Sequence, residues 1–600
     1  MDSALASRTG FYKYSGYLRC VRQKLIPKID GTDCLYYNKI SITWRFCSRE
    51  MRETIMAQEK KQSFMKGAVI LSASTLLVKV LGLLFSIPLA NLIDPKSMSY
   101  FYAAYDIFGF FLMLSTAGLP IAVSRMVGTA YAQGRRKEAD QVFGVAFWLF
   151  FGVGLVGCLA MFFGSKQFAS MMGYPGADLA IMALAPTMFF ISVMSALRGY
   201  FQGRSNMVPT AVSQTIEAVT KVVIGVGLAV YILQQYDSDD WAAVGAVVGV
   251  SISAGLGTIY LVLYKLRQKR RDKDLPDVGS SGVSRKSMLK SLIWFAIPIT
   301  IGSCFLSALD IVDMAVLSDR LQQGLHFTQE HVDDLRGLLG NARKFFDLPG
   351  AFVIPISTSL LPVLSGAIAS NDKRSVDHIS SISMRVTLLI AIPASVGMAV
   401  FADPICQLLL FNKPDAAAGT APLLAMLSIA IAFNSTLFTT NAILQSFGRA
   451  TTPVVNMAIG GVVKIVLSYV LIGIPEINAM GSAISTVVSY LLIMVLNLIA
   501  MRRSLPDMDG FVRMSLPILL SSAVMGAASY GAYCGLCLFV SPKLAVIPAI
   551  VLAVAVYAVS IVLFKAVTYD DVAMLPRGEQ LARLLHVKKK VLPRHMRSSR

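Results

Sequence analysis

The sequence predicts an all-α polytopic membrane protein. About fourteen transmembrane helices form two related six-helix bundles, with two further helices behind them. Three observations predict it. Of 600 residues, 55% are hydrophobic and 15% charged, with mean hydropathy +0.62, whereas a soluble chain carries about 25% charged residues. From Lys66 onward, apolar stretches of about 20 residues follow one another, each long enough to cross a bilayer core. One stretch also occurs twice: LRGYFQGRSNMVPTAVSQTIEAVTKVVIGVG at Leu197–Gly227 and AILQSFGRATTPVVNMAIGGVVKIVLSYVL at Ala442–Leu471. Both copies run Gln, Gly-Arg, Pro, then an apolar helix containing one lysine. Gly203 and Arg204 match Gly448 and Arg449, Pro209 matches Pro453, and Lys221 matches Lys464. A second echo, Val123–Phe143 against Leu360–Ser380, supports two related halves, and a long internal repeat fixes the architecture.

The spans are expected near 66–90, 98–123, 142–163, 178–198, 211–233, 241–264, 291–317, 341–368, 381–401, 420–444, 453–474, 479–500, 514–540 and 543–564. The run Pro404–Phe411 is too short to cross and is expected at an interface. Loops 124–141, 199–210, 265–290, 369–380, 445–452 and 501–513 should share one side, because all carry Lys or Arg; the opposite loops, such as QQYDSDDW and IPEINA, are poor in both. By the positive-inside rule both termini are then cytoplasmic, in a multi-pass plasma-membrane protein. The net charge of +20 is read as this topology signal, not as a nucleic-acid footprint.

Six domains follow. Residues 1–60 lack the apolar centre of a signal peptide and are read as an over-called start or a cytoplasmic tail. An N-terminal lobe occupies 61–264. The linker 265–290 is charged, then rich in Gly and Ser. A C-terminal lobe follows at 291–501, two extra helices at 502–565, and a basic tail at 566–600 suited to anionic lipid headgroups. An even number of spans per half gives the halves parallel orientation, with a pseudo-twofold axis along the membrane normal, as in transporters that rock two bundles about a central site.

Two motifs are set aside. Gly152-Val-Gly154-Leu-Val-Gly157 has dinucleotide-binding spacing, but it lies mid-membrane with no preceding strand. Cys534-Gly-Leu-Cys537 lies in an apolar helix without metal partners. No Walker A loop and no large soluble domain is present, so an enzyme is not expected, and no cofactor.

Charges inside the spans carry the information, since each costs several kcal/mol at the bilayer centre unless it faces a cavity or a partner. Lys79 lies mid-way along span 1 and Asp106 in span 2. Glu217 and Lys221 stand one turn apart in span 5, as a self-neutralising pair or as a functional one. Asp310 and Asp313 lie in span 7; Arg343, Lys344 and Asp347 open span 8; Lys464 is in span 11. Lys79 and Lys464 have no carboxylate within a turn of their own helix, which favours a water-filled cavity or an anionic substrate. Cations from both halves, Lys79, Lys221, Lys464, Lys344 and Arg343, suit a pyrophosphate group. Asp310, Asp313 and Asp347, with Asp106 and Glu217, are the candidates for Na⁺ or proton coupling, helped by the membrane potential. The competing reading pairs the span 7 carboxylates with Arg343 and Lys344. Pro298, Gly118, Pro120, Pro349 and Pro355 are expected to break helices lining the cleft.

The runs KQSFMKGAVILSASTLLVKVLG, GLPIAVSRMVGTAYAQG and LRGYFQGRSNMVPTAVSQTIEAVTKV resemble the stage V sporulation protein B and polysaccharide-biosynthesis branch of the MOP flippase superfamily, close to Gram-positive-type lipid II flippases (MurJ). The likeness covers about residues 60–565. It implies a MATE/MurJ-like fold and alternating-access export of an undecaprenyl-pyrophosphate-linked cell-wall precursor, with membrane lipids and the cell-wall synthesis machinery as candidate partners. It also implies roles for Lys79, in Lys79-Val-Leu-Gly82, and for Lys344 and Asp347, in KFFDLP. The sequence departs from the family at a second span 1 arginine, where Phe85 or a neighbour stands.

Overall fold

The computed structural model describes residues 74–567, apart from 76, 117, 205, 272–281, 370, 506–507 and 509. The readings of residues 1–60 and of nearly all of the basic tail lie outside the described residues. Within them the chain is helical and has no strand.

The N-terminal lobe runs α1 (Leu77–Leu92), α2 (Pro95–Thr116), α3 (Leu119–Ala132), α4 (Arg136–Phe163) and α5 (Asp178–Gly203). It continues through α6 (Val208–Thr220), a π-helical turn (Lys221–Gly225), α7 (Val226–Tyr236) and α8 (Asp239–Arg271). Then come α9 (Arg285–Asp319), α10 (Gln329–Phe346), α11 (Gly350–Ala369), α12 (Lys373–Val400), α13 (Pro414–Ser446), α14 (Thr451–Ile472) and α15 (Met480–Arg502). Helices α16 (Phe511–Leu536) and α17 (Pro542–Leu563) close the chain.

Eleven of the described helical segments are long and apolar enough to cross a membrane. By that measure the expected count of fourteen is not reached. The described part of α1 is shorter, and α9 and the broken α10–α11 pair are not among the eleven. Several helices also outrun their predicted spans. Arg125 lies on α3, Arg136 and Lys137 on α4, and Lys265 on α8, all expected in loops. A hydropathy pattern stops at the first charge, whereas a helix can continue into water with its charged turns solvated.

The repeat is structural. In the first half α4, α3 and α2 each pack on α5, α5 packs on α8, and α6–α7 pack on α8. In the second half α12, α11 and α10 each pack on α13, α13 packs on α15, and α14 packs on α15. A short helix precedes the fourth span of each half, Ser165–Met171 in one and Ala402–Leu409 in the other; the sequence reading foresaw only the second. The repeated Gly-Arg…Pro signal stops one helix and starts the next. Gly203 closes α5, where a Cβ would come within 2.6 Å of the Ser124 carbonyl oxygen. Gly448 takes φ +73° beyond α13, a conformation glycine adopts without strain. Pro209 opens α6 at a position where its missing N–H costs nothing.

The two lobes share a core at one end only. Phe101, Tyr174 and Leu184 of the first lobe join Leu339, Phe345 and Leu427 of the second in one buried cluster. At the end where the basic loops gather the cores are separate: Val123, Phe150 and Phe201 in one lobe, Leu364, Met384 and Ile443 in the other. The result is a V that opens toward the basic loops. Helix α9 departs from the predicted boundary, because Met288, Leu292 and Ala296 pack in the first lobe's core while Ile311, Met314 and Leu317 lie in the shared one. Gly118 permits this crossing, since a Cβ there would lie 2.4 Å from the Ala296 carbonyl oxygen.

The expected breaks are present in spans 2 and 8. In the second span α2 ends at Thr116 and α3 begins at Leu119, just before Pro120, and the eighth span divides at Asp347–Pro349. Pro298 and Pro355, in contrast, lie inside continuous helices. A proline requires only that one intrahelical bond be given up, and a long, tightly packed helix can absorb that loss.

The sealed end depends on the crossing of α2 and α10. A Cβ on Gly337 would lie 1.9 Å from the Pro95 carbonyl oxygen, and one on Gly340 would lie 2.1 Å from the Tyr102 ring. The first obstacle is backbone and cannot move aside cheaply. Gly337→Ala is therefore expected to lower the stability of this closed form by about 1–3 kcal/mol. A cysteine at buried Ser99 should react faster with a membrane-impermeant maleimide in that variant than in the Gly337 protein. Unchanged melting and unchanged labelling would count against the seam.

Candidate functional site

The cations the sequence singled out divide into two groups. Lys79 on α1 and Lys344 on α10 each come within electrostatic reach of Lys221, at the start of the π-helical turn, and so does the acid Glu217. Lys79 is exposed, and Lys221 and Lys344 are half-buried. The π turn, a local widening often found at functional sites, is where Lys221 leaves its helix; its ammonium lies 5.1 Å from the centre of the Phe85 ring. Lys344 lies 5.6 Å from the Tyr102 ring and 5.7 Å from the Tyr105 ring. Phe85, Phe101 and Tyr105 stack in series, with centroids 6.0 and 4.7 Å apart. An aromatic wall from α1 and α2 thus carries cations from both lobes. Cation–π contact at such sites supplies roughly 0.5–2 kcal/mol, which softens the cost of the charges without neutralising them.

Lys464 and Arg343 behave differently. Asp313 on α9 is wholly buried and receives Arg343 Nη2 at 2.7 Å, Lys464 Nζ at 3.1 Å and the Ser468 hydroxyl at 2.8 Å. The Ser482 hydroxyl lies 3.3 Å from it. One carboxylate so ties α9, α10, α14 and α15. Lys464 has no carboxylate on its own helix, as its sequence indicates, but α9 supplies one. Pairing of the span 7 acid with Arg343 is observed, while Lys344 turns to the aromatic wall instead. Asp347 is exposed at the break between α10 and α11, whereas Asp313 is buried; the side chain of Asp310 lies outside the described residues. Asp106 is half-buried on α2, within electrostatic reach of Tyr174. Glu217 does not close onto Lys221 as an i,i+4 pair. It takes Arg198 Nη2 from α5 at 3.1 Å, and Arg198 Nε donates to the Ser213 hydroxyl, also at 3.1 Å.

Three features escaped the sequence reading. Arg198 stands in the repeated segment, but its partner lies 19 residues away on another helix. The aromatic wall looks in sequence like ordinary apolar helix. The third is Arg336, buried at the sealed end, which pairs with Asp333 at 3.0 Å, lies 3.7 Å from the centre of the Tyr174 ring and donates to the Gly173 carbonyl at 2.6 Å. Asp333 and Arg336 at i,i+3 on an amphipathic stretch were the available signal. Among the described residues no three His, Cys, Asp or Glu gather as a metal site.

Two related sets of helices, most of them long and apolar enough to cross a membrane, define a multi-pass membrane protein. The chain belongs to the polysaccharide biosynthesis protein family, whose profile matches residues 64–368; the MatE profile matches residues 339–470. It is 25% identical to stage V sporulation protein B of Bacillus subtilis (strain 168) over 525 residues, covering 86% of this chain and 98% of that one. It is 24% identical to the lipid II flippase MurJ of the same organism over 426 residues, covering 68% of this chain and 77% of the other. The solved structure of a lipid II flippase MurJ in an inward closed conformation superposes with a TM-score of 0.63 at 17% identity, covering 83% of this chain and 98% of that one. The MATE/MurJ-like fold expected from the sequence is the fold observed.

The Asp313 cluster has a measurable consequence. Asp313→Ala would leave the partly buried Arg343 and Lys464 without this carboxylate, a loss of up to about 3–5 kcal/mol. Lys464→Met should be milder, because Arg343 and Ser468 still serve the carboxylate. Thermal melting of the purified variants orders the two; equal melting would show that Asp313 does not hold these helices together.

Proposed function

We propose that this protein is a flippase for a lipid-linked diphosphate, and that lipid II, the undecaprenyl-pyrophosphate-linked peptidoglycan precursor, is its substrate. The observation that carries this reading is Lys221 and Lys344 on the aromatic wall, with Lys79 within electrostatic reach of Lys221. Each lysine at membrane depth costs roughly 2.5–3.5 kcal/mol on its own, and three of one sign repel. A diphosphate supplies the missing charge. By the positive-inside rule the basic end is cytoplasmic, so the V faces the compartment in which such precursors are assembled. Release on the far side needs the α2–α10 seam and the Arg336 contacts to part while the separate cores at the basic end come together. Lys464 and Arg343, expected among the substrate ligands, are better read as helix ties. Glu217 and Asp313, two of the acids that would serve a cationic drug, are instead held by Arg198, Arg343 and Lys464, which disfavours an antiporter for multidrug cations.

A second reading keeps the chemistry and changes the glycan. The likeness to stage V sporulation protein B covers more of this chain than the likeness to MurJ, 86% against 68%. That favours weighing a spore-wall, capsule or other lipid-linked oligosaccharide. Expression in a strain depleted of its lipid II flippase separates the two: rescue of growth supports lipid II, and failure by a well-expressed protein supports the other glycan. In whichever host it works, Lys79→Ala, Lys221→Ala and Lys344→Ala should each abolish transport while the protein accumulates in the membrane. Lys79→Arg should retain part of it, since the charge remains while its geometry changes. Full activity of a stable Lys79→Ala protein would remove the anion site.

A further inference from the structure

We propose that Tyr105 is a substrate-binding residue, its phenol donating a hydrogen bond to a phosphoryl oxygen of the diphosphate held by the lysines. The proposal rests on the anion-site reading above and adds a neutral, directional donor to it. The hydroxyl of Tyr105 is buried and has no hydrogen-bond partner among the described residues. The other buried tyrosines near the lobe junction are satisfied. Tyr102 donates to Asn341 Oδ1 at 2.7 Å, Tyr100 to Asp333 at 3.3 Å, and Tyr174 contacts Met314 Sδ at 3.7 Å. A buried phenol normally finds an acceptor, and an orphan has a cost that only some further role offsets.

The place of Tyr105 identifies that role. Its ring is fixed by Phe101 at 4.7 Å and Phe108 at 6.1 Å, so the hydroxyl cannot swing far. The Lys344 ammonium lies 5.7 Å from the ring centre, and Glu217, the acid beside Lys221, is within electrostatic reach. The buried hydroxyl is therefore carried by a ring that lies beside a cation of the second lobe and within electrostatic reach of an acid of the first. Three lysines attract any anion of sufficient charge. A fixed O–H adds direction and favours a ligand that places an oxygen there when its charge is shared between the lobes.

Tyr105→Phe keeps the ring and removes only the donor, so two readouts should move in opposite senses. Without ligand, the variant should melt at the same temperature as the parent or higher, because an unsatisfied buried group has been deleted. With ligand, it should bind roughly tenfold more weakly or worse, as for loss of a hydrogen bond to a charged group. Binding is measured on the purified full chain with inorganic pyrophosphate and, separately, farnesyl diphosphate, which distinguishes a free anion from a lipid-borne one. A Lys79, Lys221 and Lys344 triple alanine variant is the control. Weaker binding of either probe by Tyr105→Phe, with melting preserved, supports the proposal. Parental affinity overturns it, and so does a lower melting temperature without ligand, which would show that the hydroxyl already serves the fold through an internal acceptor such as Glu217. Equal binding by the parent and the triple variant would overturn the anion site itself, and the proposal with it.

Discussion

Asp313 sits wholly inside the second lobe with Arg343, Lys464 and Ser468 around it. A buried carboxylate with one cation is a doubtful asset, because removing charges from water can cost as much as their attraction returns. Two cations and hydroxyl donors on one carboxylate change that balance by satisfying its lone pairs from several helices at once. The position of α10 depends on this arrangement. Arg343 anchors that helix to the second lobe, and the same helix carries Gly337, Gly340 and Arg336 to the sealed end and Lys344 to the cleft.

The two halves use matched residues in opposite ways. Lys464, in the second half, meets a carboxylate on α9. Its counterpart Lys221 meets the ring of Phe85 on α1. Glu217 stands one turn away and is held by Arg198. Two related lobes thus hold one of the matched lysines on a carboxylate and the other against an aromatic ring. The π-helical turn occurs only on the side of Lys221 among these two helices, which marks that side as the departure from plain repeat geometry.

Much of the fold was legible from residue order. Long apolar runs, the alternation of basic and non-basic loops and the Gly-Arg…Pro repeat each report a local requirement: bilayer thickness, loop charge, or a helix stop followed by a start. Asp347-Leu-Pro349 marked the break in span 8 for the same reason. Less was legible where a helix outran its apolar stretch, as α8 does through Lys265, or where α9 crossed from one core to the other through the Gly118–Ala296 contact. Neither leaves a periodic trace.

Sequence by itself determined the class of protein, the doubling of the bundle and the identity of the charges that had to be explained, because burying charge in a bilayer is costly wherever it occurs along the chain. Only the tertiary structure decided which charges are neutralised. Lys464 and Asp313 are 151 residues apart in number yet 3.1 Å apart in space, and no local pattern encodes such a pairing. The same holds for Tyr102, Tyr105 and Phe85, whose rings become one wall beside Lys221 and Lys344 only when α1, α2, α6 and α10 are brought together. Electrostatics and hydrogen bonding act over a few ångströms of space, so the partners of a charge become known only once the helices that carry them have packed.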